Sequence, residues 1–511
     1  MTLENPTLRR VVNDPTLSAA QKARQLSIEA ENSLRYPALD AETRQALDDR
    51  VICDMYEGHA PYKPRYVLPD YNVVLTRGSD WLELPVPRTL DEAIHTLMVA
   101  YHHVPSVTGM PVYIGQLDDL LLPFCASVSD AELYQQIKLF WRYLDRVLPD
   151  AFMHANIGPS DNRVARVILQ VDAELKQIAP NLTFRYDPKV SSDEVLALAA
   201  ANIAECSKPH IANHPLFEPV FGARGYGIVS CYNALPVCGG ASTLTRLNLA
   251  MVAERSSSID DFLQNTLPHF VELNCRLAEA RVDYLFNHSG FMDSFLVAEG
   301  WLDESRFAAM FGIFAMAEAV NTLQDKAGHP GRYGHDAGAN ALGHRISARL
   351  AELVAARPIA HVWNGRAMLH SQAGLSTDKD LTPGVRIPYG TEPDPISHVR
   401  ALAPHHRYYP SGISEILTLD ETVKANPQAV LDLCKGALAM GFREFTANVA
   451  SNDLVRVTGY MIRLSDIQKF NAELGSRTNT TALGAEAADV TAILERKPRV
   501  IAHEMLAGAR Q

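Results

Sequence analysis

Apolar residues recur about every 3.6 positions through 17–34, 90–103, 129–147, 191–205, 249–264, 304–324, 338–355 and 427–440, which predicts helices there. Short apolar runs fall between them: GYGIVSC at 225–231, TLTRLNL at 243–249, EILTL at 415–419 and EFTANV at 444–449. Each is bounded by Gly, Pro, Ser or Asn and reads as a strand. Helices alternating with short strands bury both kinds of apolar face only in layered packing, so the expected class is α/β. The stretch 371–414, rich in Gly, Pro, Ser and His, is too long for an ordinary connection and is expected as a functional loop or several short strands. With no internal repeat or flexible linker, the expected division is a helical segment 1–60 made of two short helices, a catalytic body 61–449 and an appendage 450–511.

Charge and cysteine usage exclude several function classes. Lys and Arg total 47 against 59 Asp and Glu, a net charge of -12, and no basic cluster tracks a phosphate backbone, so nucleic acid is not an expected partner. The start MTLENPTLRRVV lacks the pattern of an export leader, and no apolar run reaches about 18 residues, so a cytoplasmic protein without membrane association is expected. The seven cysteines, at 53, 125, 206, 231, 238, 275 and 434, form no C-x-x-C pair and predict neither a disulfide framework nor a zinc ribbon. Cys434 reads as core packing. It lies on a helix with Asn426 as N-cap, Pro427 at the first position and Gly441 past the end.

Two segments carry chemistry. Near the C-terminus, VRVTGY at 455–460 places Gly459 between Thr458 and Tyr460. With average residue usage the pattern R-[VIT]-x-G-Y falls in such a tail by chance on the order of once in a thousand. Upstream, GYGIVSCYNALPVCGG puts Cys231 at the end of an apolar strand, before a loop rich in Pro and Gly, where a reactive side chain is presented. Its bland reading is a buried core cysteine. Cys238, in the same loop, is a rival or a redox partner, and Cys206 in ECSKPHIAN is a third thiol. Among polar residues, Asn233 and His154 are the leading substrate contacts. Asn156, His210, Asn213, His405, His406 and Asn448 read first as turn or core residues.

VRVTGY resembles the radical-site motif of the glycyl radical enzymes: Arg456, Val457, Gly459 and Tyr460 match, and Thr458 stands where Ser, Ala or Cys is usual. A backbone Cα radical must flatten to delocalise into its flanking amide groups, and only glycine imposes no side-chain penalty. The resemblance makes Gly459 the radical site and Cys231 the thiol on a finger loop that becomes the thiyl. That hydrogen transfer needs S–H rather than thiolate, which an apolar setting favours. YYPSGISEILTLDETVKANPQAVLDLCKGALAMGFREFTAN at 408–448 is similar to the segment preceding the radical domain of the anaerobic ribonucleotide reductases. VICDMYEGHAPYKPRYVLPDY, YHHVPSVTGMPVYIGQLD, DAFMHANIGPSDN, SCYNALP and GSRTNTTALG resemble the YjjI branch of the superfamily, which has no assigned reaction.

The resemblance implies a ten-stranded barrel made of two antiparallel half-sheets of five parallel strands, wrapped in helices, with residues 450–511 as a C-terminal radical domain. It implies an oxygen-sensitive enzyme of anaerobic metabolism, an oxidoreductase or lyase acting on a small polar, hydroxylated metabolite. The cofactor is the protein-derived glycyl radical on Gly459. A separate radical S-adenosylmethionine activating enzyme, which carries the iron–sulfur cluster, installs it. A homodimer is left open. FTANVASNDLVRVTGY has none of the four zinc cysteines of the ribonucleotide reductases, so no metal is expected on this chain. Cys231-Tyr232-Asn233 replaces the Cys-x-Glu of the diol and amine lyases with an amide that cannot act as base. The alternatives are ribonucleotide-reductase-like chemistry and a non-catalytic protein with a vestigial radical loop.

Overall fold

The computed structural model describes residues 5–55, 59, 62–106, 109, 111–148, 150–371, 378–413, 415–478 and 481–501. In chain order the strands are β1 Ile52–Asp54, β2 Tyr66–Leu68, β3 Tyr113–Gln116, β4 His154–Ile157, β5 Asn181–Tyr186, β6 His210–Asn213, β7 Tyr226–Val229, β8 Asn233–Pro236 and β9 Gly239–Asn248. They continue with β10 Phe307–Phe314, β11 Met368–Ser371, β12 Ile416–Leu419, β13 Glu444–Val449, β14 Leu454–Arg456 and β15 Met461–Arg463.

These strands make two opposed half-sheets. In one, β3, β4, β5 and β6 run parallel. In the other, β9, β10 and β11 run parallel, as do β12 and β13, with a parallel bridge from Ser371 to Ile413 joining the two groups. Direction reverses where β6 meets β13 and where β1 and β2 each meet β9 antiparallel. The expected half-sheet architecture is thus present, and the helices pack around it in one large apolar core. The helix Asp130–Val147 shows why they form. Ser129 caps it, Asp130 and Glu132 favour its first turn, and Leu133, Ile137, Phe140, Trp141 and Leu144 line the buried stripe. Among the described residues no helix is long and apolar enough to cross a membrane.

Two small antiparallel hairpins lie apart from the half-sheets. The β7–β8 hairpin packs against β3, β4, β9 and β10, that is, between the half-sheets. The β14–β15 hairpin follows β13 and carries the glycine motif.

Some expectations need correction. Residues 304–324 are not one helix, because Phe307–Phe314 is strand β10 and the helix is Met316–Lys326. All eight residues of FAAMFGIF are buried, and a fully apolar run carries no period to separate strand from helix. The segment 249–264 breaks after Arg255 and continues as the short helix Ile259–Asp261 and a π-turn. Within 371–414 the expected loop is present over 378–394, but it is followed by the helix Pro395–Leu402 and the 3-10 turn Ala403–Tyr408 rather than by strands, with 372–377 and 414 outside the described residues. The described residues among the first 60 carry three helices rather than two, Pro6–Asn13, Ala19–Asn32 and Ala41–Asp48. The helix around Cys434 runs from Pro427 to Ala439 and buries that thiol, as expected.

Candidate active site

Cys231 sits at the tip of the β7–β8 hairpin, in the three-residue turn Ser230-Cys231-Tyr232 rather than at a strand end before a loop. Ser230 and Tyr232 both take left-handed backbone, with φ of 51° and 63°. A non-glycine residue held there costs of order 1 kcal/mol or more, so the surroundings must impose it. They do so through side chains that pair like an extra strand. Asn156 on β4 donates to the Ile228 carbonyl at 2.8 Å and accepts from the Ile228 N–H at 2.8 Å. On the other edge the Ala234 N–H donates to the Ser411 carbonyl at 3.1 Å. Asn156 is therefore a splint for the finger hairpin.

The turn Val457–Tyr460 joins β14 to β15 and meets that tip. A Cβ built on Gly459 would overlap Cys231 Cα and would lie 2.8 Å from the Cys231 carbonyl carbon and 2.9 Å from its Cβ. The glycine is demanded by this approach and not by a left-handed φ. Thr458 Oγ1 lies 3.5 Å from Cys231 Sγ, and Ser230 Oγ lies 3.8 Å from it. Burial pushes the thiol pKa up, with the Thr458 and Ser230 hydrogen bonds and the charges of Arg65 and Arg386 opposing, so the S–H form persists near neutrality.

The β14–β15 hairpin is held from several elements. Asn448 on β13 donates to the Arg456 carbonyl at 2.8 Å and accepts from the Arg456 N–H at 2.7 Å. The fully buried Arg456 guanidinium donates to Asn181 Oδ1 at 3.0 Å, to the Tyr232 hydroxyl at 3.0 Å and to the Ser207 carbonyl at 2.9 Å. Asn181 Nδ2 in turn donates to the Gly459 carbonyl at 2.8 Å, and Arg386 Nη2 donates to the Thr458 carbonyl at 3.3 Å. One guanidinium thus ties the cysteine tip to the amide that orients the glycine. Tyr460 packs its ring 4.6 Å from Phe152 beside the apolar residues around Cys231.

The other expected residues fall into two groups. Asn233, at the base of the cysteine turn, donates to the Val229 carbonyl at 3.0 Å and leaves its buried Oδ1 without a partner among the described residues. His154 Nε2 lies 2.6 Å from Thr183 Oγ1, which lies 2.8 Å from His210 Nδ1, so three adjacent strands carry a hydrogen-bonded row beside the tip. His210 packs 4.5 Å from Tyr232. By contrast, Cys238 follows β8 at the far end of the finger, with Sγ 3.8 Å from the Gly300 carbonyl, and the structure does not bring it to Cys231. Cys206 joins the apolar cluster around Cys231, with Sγ 3.3 Å from the Asn202 carbonyl. Asn213 ties the helix Pro427–Ala439 to β6 through the Leu438 and Phe442 carbonyls. His405 bonds Ser347 and Tyr333, while His406 accepts from the Arg443 N–H. Sequence reading did not single out Asn181, Thr183, His370 or Arg386.

Burial holds the imidazoles of His154, His210, His370 and His406 neutral, lowering His370 to about 4 and His406 to about 3. Unfolded, each titrates near 6.5, so below that pH the unfolded chain binds protons that the folded chain refuses. Their stabilisation is therefore complete above about pH 6.5 and is lost as pH falls toward about 4 for His370 and about 3 for His406. The expected slope is about 1.4 kcal/mol per pH unit for each histidine. Urea unfolding at about pH 7 and about pH 5 checks this, and equal stability at the two would contradict it.

The overall fold is seen in solved structures. One is the hydroxyproline dehydratase of Clostridioides difficile with trans-4-hydroxy-L-proline bound, which is 12% identical with a TM-score of 0.71 over 97% of this chain and 88% of that one. Another is the anaerobic ribonucleotide reductase of Thermotoga maritima in complex with dATP and CTP, 12% identical with a TM-score of 0.65 over 85% of this chain and 86% of that one. The fold is that of the glycyl radical enzymes. Within them, residues 17–499 match the model described as "Glycyl radical enzyme YjjI-like", and the chain belongs to that family. The Escherichia coli (strain K12) protein YjjI is 60% identical over 497 residues, covering 97% of this chain and 96% of that one.

Proposed function

We propose that Gly459 stores the radical, that Cys231 is the thiol converted to a thiyl, and that the thiyl takes hydrogen from a carbon of a small polar metabolite. The observation that carries this reading is the packing of Gly459 on Cys231, where a Cβ has no room. In the first step the Gly459 Cα radical takes the hydrogen atom of the Cys231 S–H; a C–H bond forms and the unpaired electron moves to sulfur. In the second the thiyl takes a hydrogen atom from substrate carbon, and the reverse transfers restore both residues at the end of turnover. The raised thiol pKa keeps the hydrogen in place for the first step. The Asn181 hydrogen bond to the Gly459 carbonyl stabilises electron density that a Cα radical spreads onto that oxygen. In this reading residues 450–511 are the radical domain, residues 61–449 the catalytic body and residues 1–60 a helical segment outside both.

The radical is installed by a radical S-adenosylmethionine activating enzyme, after the Val457–Tyr460 turn leaves the barrel. Asn233 supplies no base beside the thiyl. A vestigial radical loop would tolerate a side chain at position 459, which this packing disfavours.

Anaerobic incubation with S-adenosylmethionine, a reductant and the cognate activase is expected to give the electron paramagnetic resonance doublet of a glycyl radical. No signal from an activase shown to cleave S-adenosylmethionine would contradict the proposal.

A further inference from the structure

Cys231 has a second set of neighbours that the radical steps leave unused. His370, fully buried on β11, has Nδ1 2.9 Å from the Ser411 carbonyl. A carbonyl only accepts, so Nδ1 carries the proton and Nε2 presents a lone pair. That Nε2 is buried and has no hydrogen-bond partner among the described residues. The ring is held close to the finger tip: a Cβ on Gly412 would lie 3.2 Å from His370 Nδ1 and would collide with the carbonyl of Tyr232, the residue after Cys231. Two buried arginines reach the same place. Arg386 bonds the carbonyl of Thr458, whose hydroxyl touches Cys231, and Arg65 leads into β2 with its guanidinium 5.1 Å from the Tyr66 ring centre. Arg65 and Ser230 both bond the Tyr66 side chain, and Ser230 Oγ lies 3.8 Å from Cys231 Sγ, so both arginines reach the finger tip through one intervening residue or two.

We propose, resting on the radical reading above, that a small hydroxylated anion binds beside Cys231 among these side chains, its carboxylate or phosphate drawn by Arg65 and Arg386 and its hydroxyl donating to His370 Nε2. When the thiyl takes the hydrogen atom from the carbon bearing that hydroxyl, the hydroxyl proton passes to His370 Nε2. The imidazole thereby supplies the base that Asn233 cannot. Burial is the main cause that lowers His370, and an anion between the arginines offsets the smaller part that their charges add.

Calorimetric titration of the full-length, unactivated protein with glycerol, propionate, glycerate and glycerol phosphate tests this. Glycerate or glycerol phosphate is expected to bind at least about tenfold more tightly than glycerol, which lacks the charge, and than propionate, which lacks the hydroxyls. Whichever of the two binds better identifies the head group. Arg65→Gln is expected to remove the preference over glycerol, and His370→Gln the preference over propionate, with the activase-induced doublet retained in the histidine variant. Anions that bind the wild type no better than glycerol, or a folded His370→Gln protein with its preference over propionate unchanged, would overturn the proposal. If the variants fail to fold, the wild-type preferences alone decide. The doublet reports on Gly459 separately, so failed binding with a normal doublet sinks only this inference, whereas a missing wild-type doublet sinks the radical reading.

Discussion

Gly459→Ala is expected to yield a folded protein that shows no radical doublet under conditions that activate the wild type. The added methyl overlaps Cys231 Cα and stands 2.9 Å from its Cβ, so one hairpin tip must move away from the other. Overpacking of this kind costs about 1–3 kcal/mol, a loss that leaves a chain with this core folded. The backbone itself does not object, because Gly459 is outside the left-handed region. The loss is chemical: a Cβ opposes the planar geometry of a Cα radical, and the displaced turn separates position 459 from the thiol. Electron paramagnetic resonance with a melting curve checks both parts, and a doublet of wild-type intensity from the alanine protein would contradict the assignment.

Arg456→Lys is expected to destabilise the protein by about 2–4 kcal/mol and to lower radical yield. The guanidinium fork reaches Asn181, Tyr232 and Ser207 at once, at 3.0, 3.0 and 2.9 Å. An ammonium keeps the charge but is a compact point that cannot span three acceptors in different directions, and a buried acceptor left unpaired costs about 1–3 kcal/mol. Because the charge is retained, no desolvation is relieved to offset that loss. Asn181, released on one side, holds the Gly459 carbonyl less firmly. Urea unfolding measures the first effect and the spin count per chain the second. A lysine variant within about 0.5 kcal/mol of wild type would show that the fork is not what joins the two tips.

The parts of the fold that sequence hid are those that build the site. Helices such as Leu90–Tyr101 and Asp130–Val147 show a clean apolar period because one face meets the core and the other meets water. The strands His154–Ile157 and Asn181–Tyr186 escaped notice because polar residues alternate with apolar ones and both are buried, and His210–Asn213 because buried polar residues stand at both its ends. On one face His154, Thr183 and His210 bond one another, Asn156 bonds the finger and Asn181 bonds the glycine turn. Between them, Ala155, Ile157, Leu182 and Phe184 belong to the main apolar core. A polar interior gives such strands the look of surface loops. Gly459 and Cys231 could be singled out from local sequence because the motif around the glycine and the apolar run before the thiol are each read within a few residues. Their contact could not, since it joins turns far apart in the chain, and His370 in MLHS is silent for the same reason.

Exchange of the remaining Gly459 α-hydrogen in deuterium oxide tests the central claim most directly, and it needs no substrate. In that solvent the Cys231 thiol carries deuterium. Transfer to Gly459 gives a methylene with one hydrogen and one deuterium, and return of the hydrogen to sulfur leaves a deuterated glycyl radical. The wild-type doublet is therefore expected to collapse to a singlet, whereas a Cys231→Ser protein, whose O–H bond is too strong to give up its hydrogen atom, keeps its doublet. A wild-type signal that stays split in deuterium oxide, or one that collapses equally fast in Cys231→Ser, would contradict hydrogen transfer between Gly459 and Cys231.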